Sequence, residues 1–247
     1  MKELSGRVIV VMGASSGIGE ATVKKIAEKG GKQVIAARRV EKLREIAESL
    51  PGAEIQYKAA DVSNFEEVKD VIDLALEKYG RIDAIFNNAG IMPTAPLVEG
   101  KRDEWQQMLD INIMGVLNGI AAVLPIMAKQ KSGHIITTDS VAGHIVYPGS
   151  AVYCGTKFAL RAIMEGLRQE QRENNIKSTL ISPGAVRTEL YKTINDKTAS
   201  EQLYRKQREE GYGLDPEDVA EAVVYAIATP SHVSVSEVII RPTRQIV

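Results

Sequence analysis

Tyr153 is followed four residues later by Lys157, with Ser140 thirteen positions upstream and a glycine-rich turn, Gly13-Ala14-Ser15-Ser16-Gly17-Ile18-Gly19, near the start of the chain. On a helix, residues four apart share a face, so the Lys157 ammonium can bias ionisation of the Tyr153 phenol. A free tyrosine ionises near pH 10, and a proton exchanger at neutrality needs that lowered by roughly 3 units, about 4 kcal/mol. One ammonium about 5 Å away, at an effective dielectric near 20, supplies roughly 3 kcal/mol. The positive ring of an oxidised nicotinamide is a source for the remainder, and Ser140 would orient a carbonyl oxygen. These residue types together point to hydride transfer coupled to proton transfer on a dinucleotide-binding fold.

The elements that position them alternate. Short apolar runs mark buried strands at Val8 to Met12, Val34 to Ala37, Ala84 to Phe86, His134 to Thr138, Thr179 to Ile181 and Val235 to Ile240, with a weaker one at Glu54 to Lys58. Helical patterns lie between them, at Ile18 to Glu28, Glu41 to Leu50, Phe65 to Tyr79, Arg102 to Lys129, Ala151 to Asn174 and Pro216 to Ala228. Asp215-Pro216-Glu217-Asp218 reads as a helix start. This order predicts an α/β fold, a doubly wound seven-stranded parallel sheet with helices on both faces, in one domain over 1–247. The charged stretch from Thr188 to Gly213 breaks the alternation and reads either as a mobile substrate lid or as a solvated helix pair.

Gly13, Gly17 and Gly19 fall between a strand and a helix, where they allow a tight turn and close approach of backbone N–H groups to a pyrophosphate, with Ser15 and Ser16 in the turn. At the end of the second strand, where a carboxylate would hold a ribose 2'-hydroxyl, the chain reads Ala36-Ala37-Arg38-Arg39. Arg38, helped by Arg39 and Ser15, is therefore expected to bind a 2'-phosphate and to select NADP(H) over NAD(H); paired arginines at a strand end are otherwise solvated surface charge.

Composition narrows the alternatives. With 247 residues, 44% hydrophobic and 26% charged, the chain has the make-up of a soluble globular protein. A formal charge of -1 without a basic run gives no footprint for nucleic acid or an anionic membrane. Cys154 is the sole cysteine, which excludes an internal disulfide and fits a reducing, cytoplasmic setting. The longest apolar stretch, Gly119 to Ala128, contains Pro125 and is shorter than the ~18 residues a membrane span needs. His134, His144 and His232 have no metal-ligand spacing, so no metal is expected. Hydrolysis with Ser140 as nucleophile would need a partnered histidine and acid, which nothing in the chain signals.

The motifs, in this order, resemble those of the short-chain dehydrogenase/reductase family over nearly the whole chain. Asp61-Val62 is similar to its adenine-contacting pair, Asn87-Asn88-Ala89-Gly90 to its fourth-strand motif, and Asn112-Ile-Met-Gly115 to the segment bearing its catalytic asparagine. Ser140, Tyr153 and Lys157 match its catalytic set, and Pro183-Gly184-Ala-Val186-Arg-Thr188 its nicotinamide-side loop. The resemblance implies that Tyr153 exchanges a proton with the substrate oxygen, that Lys157 lowers its pKa and binds ribose, and that Ser140 holds the oxygen. It further implies that Asn112 retains a proton-relaying water, that Val186 and Thr188 orient the carboxamide, and that Ile18 and Asn88 to Gly90 line the groove. Small carbonyl or alcohol substrates and a homotetramer or homodimer, assembled through the helices around 102–129 and 151–174, are implied in the same way.

The ending Glu237-Val-Ile-Ile-Arg241-Pro-Thr-Arg-Gln245 is similar to that of NADP-dependent serine/3-hydroxy acid dehydrogenases and clavaldehyde-type reductases. Arg187 or Lys192 would then meet a substrate carboxylate, unless they are surface charge, and Pro93, Thr94, His144 and Tyr147 are expected to border the pocket. Two residues depart from the pattern: Met12, where the family has a hydrogen-bonding threonine, and Asp139, where it has serine or another small residue. A non-catalytic NADP-binding sensor is the competing reading.

Overall fold

The computed structural model describes residues 3–246. Seven strands, β1 (Val8–Met12), β2 (Lys32–Ala37), β3 (Ile55–Ala59), β4 (Ala84–Asn87), β5 (Gly133–Thr138), β6 (Ile176–Pro183) and β7 (Glu237–Ile240), form one sheet in the order β3-β2-β1-β4-β5-β6-β7. Every pairing is parallel. The helices are α1 (Gly17–Glu28), α2 (Val40–Glu48), α3 (Phe65–Tyr79), α4 (Arg102–Met108), α5 (Gly115–Gln130), α6 (Ala151–Glu170), α7 (Lys197–Lys206) and α8 (Pro216–Ala228).

Successive strand side chains point to opposite faces, so each strand feeds two cores. Val10 and Met12 of β1 join Val34, Ile85 and Ile135 under α3, α5 and α6, which supply Val68, Ile72, Val123, Leu160 and Met164. Ile9 and Val11 join Ile35, Phe86, Ile136 and Ile181 under α1, α2 and α8, which supply Val23, Ile26, Leu43, Val219 and Val223. The chain winds outward in both directions from β1 and β4, and a crevice opens at the carboxyl ends of those strands, where such sheets bind ligands.

The predicted helix from Arg102 to Lys129 is interrupted. Leu109–Met114 is a π-helical turn between α4 and α5. Two anchors flank the extra residue: the Asn112 side chain bonds back to the Ile91 backbone, and Gly115 packs so tightly that an added Cβ would lie 2.7 Å from Val62. The 29-residue run 102–130 has the length and hydropathy of a membrane span, but half of its apolar window is buried inside the fold. The predicted helix to Asn174 ends at Glu170 and gives way to a 3-10 turn, Arg172–Asn174. At α8 the expected start is present, with Pro216 in the first turn and the Asp218 carboxylate accepting from the Asp215 N–H at 2.8 Å.

The Met12 departure has a visible consequence. Met12 pairs in register with Asn87, whose buried side-chain oxygen and nitrogen both lack hydrogen-bond partners. A thioether cannot donate to them. An orphaned buried polar group costs on the order of 1–3 kcal/mol, so this departure bears on stability.

Candidate active site

A cavity of about 560 Å³ runs from the glycine-rich turn to the C-terminal segment. At the near end, Gly13 (φ +76°) and Gly17 (φ +56°) adopt left-handed backbone. The turn also has no room for side chains: a Cβ at Gly13 would lie 2.6 Å from the Ala89 nitrogen, and one at Gly19 2.2 Å from the Gly13 carbonyl oxygen. Ser16 caps α1 without a side-chain hydrogen bond, which leaves first-turn N–H groups open to an anion. Asn88 fixes the turn to β4 and β5, donating to the Gly13 carbonyl at 3.0 Å and accepting from the Thr138 hydroxyl at 3.0 Å. This bare backbone cradle at a helix start fits a dinucleotide pyrophosphate.

Ile18, Arg38, Arg39, Asp61, Val62, Ala89 and Gly90 line the same cavity, as do Ser15, Ser16, Asn88, Pro183, Gly184, Val186 and Thr188. Both arginines reach the cavity. Arg39 donates to the Ser15 hydroxyl at 3.1 Å and to the Ser16 hydroxyl at 2.7 Å, and pairs with Glu189 at 3.0 Å. Arg38 is exposed on the cavity rim and acts electrostatically on Asp61. Thr188 packs over the turn, within 3.0 Å of the position a Gly17 Cβ would take.

At the reacting end, α6 carries Tyr153 and Lys157 on its buried face, 7% and 5% exposed. The Lys157 ammonium donates to the Thr138 carbonyl at 2.8 Å and lies 5.8 Å from the centre of the Tyr153 ring. Ser140 opens a 3-10 turn, its hydroxyl accepting from the Ala142 N–H at 3.1 Å and hydrogen-bonding Tyr153. The electrostatics correct the simple pairing argument. Burial pushes the Tyr153 phenol well above its ordinary range, with the Ser140 hydrogen bond pulling the other way, and burial lowers Lys157 to about 8. The desolvation of two neighbouring groups outweighs the bias of one on the other. Further positive charge in the crevice, or donors to the phenolate, would lower the Tyr153 pKa from there.

Asn112 stands behind the cavity wall, while its neighbour Ile111 lines it. Its side chain accepts from the Ile91 N–H and donates to the Ile91 carbonyl, both at 2.9 Å, and reaches the Thr156 hydroxyl at 3.2 Å. That hydroxyl in turn donates to the Tyr153 carbonyl at 2.7 Å. Asn112 thus ties the loop after β4 to the first turn of α6, and its amide is spent on protein partners.

The substrate end was the least visible in the sequence. Tyr147 lines it as expected, but Met92 takes the wall position expected of Pro93 and Thr94, and His144 lies behind the wall facing Glu237 at 2.9 Å. Leu190, Thr193, Leu203 and Gln207 come from the 188–213 region, which folds as a 3-10 turn (Leu190–Thr193) followed by α7. Gln245 closes the far wall, its side-chain oxygen accepting from the Ala185 N–H at 2.8 Å. Arg187 is tied to Asp215 at 2.7 Å and to the Gln207 carbonyl at 3.1 Å, and Lys192 pairs with Glu189.

Fold and crevice together define a nucleotide-dependent oxidoreductase, and the comparisons with known proteins specify which kind. The model of the short chain dehydrogenase family matches residues 7–199, and the chain belongs to that family. It is 50% identical over 250 residues to an uncharacterized oxidoreductase of Staphylococcus saprophyticus, covering 99% of both chains. Among solved structures, it resembles a short chain dehydrogenase/reductase of Burkholderia phymatum in complex with NAD (TM-score 0.86, 31% identity, covering 97% of this chain and 90% of that one). It is equally similar to the closed form of a serine dehydrogenase complexed with NADP+ (TM-score 0.87, 30% identity, covering 94% and 93%).

Proposed function

We propose that this oxidoreductase uses NADP(H) to interconvert a small carbonyl compound and its secondary alcohol. The observation that carries the reading is the convergence of Ser140, Tyr153 and Lys157 on one wall of a crevice whose other end is a bare glycine cradle. A nicotinamide cofactor held by Gly13 to Gly19, Asp61, Val62, Asn88 to Gly90 and Pro183 to Thr188 supplies or accepts the hydride. Ser140 holds the substrate oxygen by hydrogen bonding, and Tyr153 gives it a proton in reduction or takes one in oxidation. Lys157 contributes positive charge beside the phenol and a donor for ribose hydroxyls. Asn112 acts as a positioning residue through Ile91, Thr156 and the first turn of α6.

The preference for NADP(H) is supported by Arg39, held over Ser15 and Ser16, and by the absence of an acid directly after β2. Two anion-binding hydroxyls and a guanidinium suit a 2'-phosphate. The segment 188–213 serves as the substrate lid, since it supplies Leu190, Thr193, Leu203 and Gln207 to the cavity wall. A 3-hydroxy acid fits if Lys192 exchanges Glu189 for the substrate carboxylate, because Arg187 is already committed to Asp215. Assembly as a homotetramer is supported by exposed Met114 on the π turn and Phe158 on α6, and by open space above Gly155 and Gly166.

Fluorescence titration with NADPH and NADH, followed by a panel of ketones, aldehydes and 3-hydroxy acids, tests this. Tighter NADPH binding together with cofactor-dependent turnover of a carbonyl compound is expected. Equal affinity for the two cofactors would sink the specificity, and binding without turnover across the panel would favour a cofactor sensor.

A further inference from the structure

Asp139 is the residue the mechanism above does not use, although it directly precedes Ser140 and lines the same cavity. Its side chain has no exposed surface. One carboxylate oxygen accepts from the Ser182 hydroxyl at 3.2 Å, and the other has no donor in bonding geometry among the described residues. The charged and titratable groups around it come from several elements. His144, at the end of the 3-10 turn that Ser140 opens, stands 3.9 Å away and is engaged by Glu237 of β7. Arg161 of α6 lies 3.8 Å from Glu237 and donates to the Gly143 carbonyl at 3.2 Å. Lys157, also on α6, is anchored to the carbonyl of the residue just before Asp139. Tyr153 completes the ring.

A carboxylate shut off from water and lacking a contacting cation is poorly screened, so its field reaches groups several ångströms away. We propose that Asp139 is a positioning residue of electrostatic kind, whose buried carboxylate biases Lys157 and Tyr153 together toward their protonated forms and so sets the pH range in which the pair works. The proposal rests on the assignment of that pair as the reacting groups. Its sign is fixed by physics: a negative charge raises the pKa of an amine and of a phenol alike. The electrostatics of the cluster agree. Asp139 opposes the burial that lowers Lys157, and it adds to the elevation of Tyr153. Burial lifts Asp139 itself to about 6, so its field is on at neutral pH and fades below that.

The test reads Lys157 without needing a substrate. NADPH affinity is measured by fluorescence as a function of pH, in EDTA, for wild type, D139N, D139S and K157M. In wild type the affinity should fall with a midpoint near pH 8, the value to which Lys157 is lowered. In D139N and D139S the midpoint should drop by about one pH unit. K157M should show no such transition. A purely structural role for Asp139 would weaken binding at every pH and leave the midpoint in place, and an unmoved midpoint in both variants overturns the proposal. If K157M keeps the wild-type transition, the assignment of Lys157 fails and this inference falls with it. As a check on folding, D139N should melt above wild type at about pH 8, with the gain shrinking toward about pH 4, because a carboxylate with a raised pKa destabilises only when ionised.

Discussion

The two ends of the crevice are built on different principles. At the cofactor end the contacts are backbone contacts: a turn of three glycines pressed against Ala89 and the start of α1, with side chains of Asn88 and Arg39 bracing it. At the substrate end the contacts are side-chain contacts gathered from far apart in the chain, from Met92 and Tyr147 to Gln207 and Gln245. Backbone cradles demand particular residue types at fixed spacing, and such spacing survives in the sequence as a motif. Pockets made of side chains demand only shape, and many sequences supply it. The first end should therefore be brittle and general, and the second tolerant and specific.

Mutations sharpen that contrast. The largest effect is expected at Gly19→Ala, whose methyl would lie 2.2 Å from the Gly13 carbonyl. NADPH affinity should fall at least a hundredfold, about 3 kcal/mol, by titration calorimetry. Next comes Arg39→Ala, which removes a charge-assisted donor set and should weaken NADPH by tenfold or more, about 1.5–3 kcal/mol, while NADH affinity changes less than about threefold. If both cofactors weaken equally, Arg39 merely braces the Ser15-Ser16 turn. Smaller still is Gln207→Leu at the substrate end. It should leave cofactor affinity and melting temperature nearly unchanged and shift KM by less than about tenfold, in a direction that depends on the polarity of the carbonyl compound tested. A collapse of cofactor binding in Gln207→Leu would erase the distinction between the two ends.

The same contrast explains what could be read before the coordinates. All seven strands and their parallel arrangement were legible, six as apolar runs of a buried sheet and β3 only weakly, since Ile55–Ala59 is half-exposed and mixed in polarity. β6 was seen only at Thr179 to Ile181, since Ser178 and Ser182 are buried polar residues whose hydroxyls bond Met164 and Asp139 rather than marking a strand. The π turn was invisible because its causes, the Asn112 amide on Ile91 and the Gly115 contact with Val62, are tertiary. α7 was legible only as one reading of the 188–213 stretch, a solvated helix pair, because four of its ten residues are charged and none is buried. Residue identity singled out Tyr153, Lys157 and Ser140, which the fold brings to one cavity. It overestimated what a neighbouring ammonium does once both groups leave water, where burial dominates. The cluster of Asp139, His144, Ser182 and Glu237 spans three segments of chain, and no local spacing could reveal it.

The central claim is that Tyr153 moves the proton, and Tyr153→Phe tests it most directly because it removes one hydroxyl and leaves the ring that packs beneath the crevice. Steady-state turnover of a carbonyl substrate should fall by a factor of about a thousand or more, with NADPH affinity within about threefold of wild type. Turnover close to wild type in a variant that still binds NADPH would contradict the account.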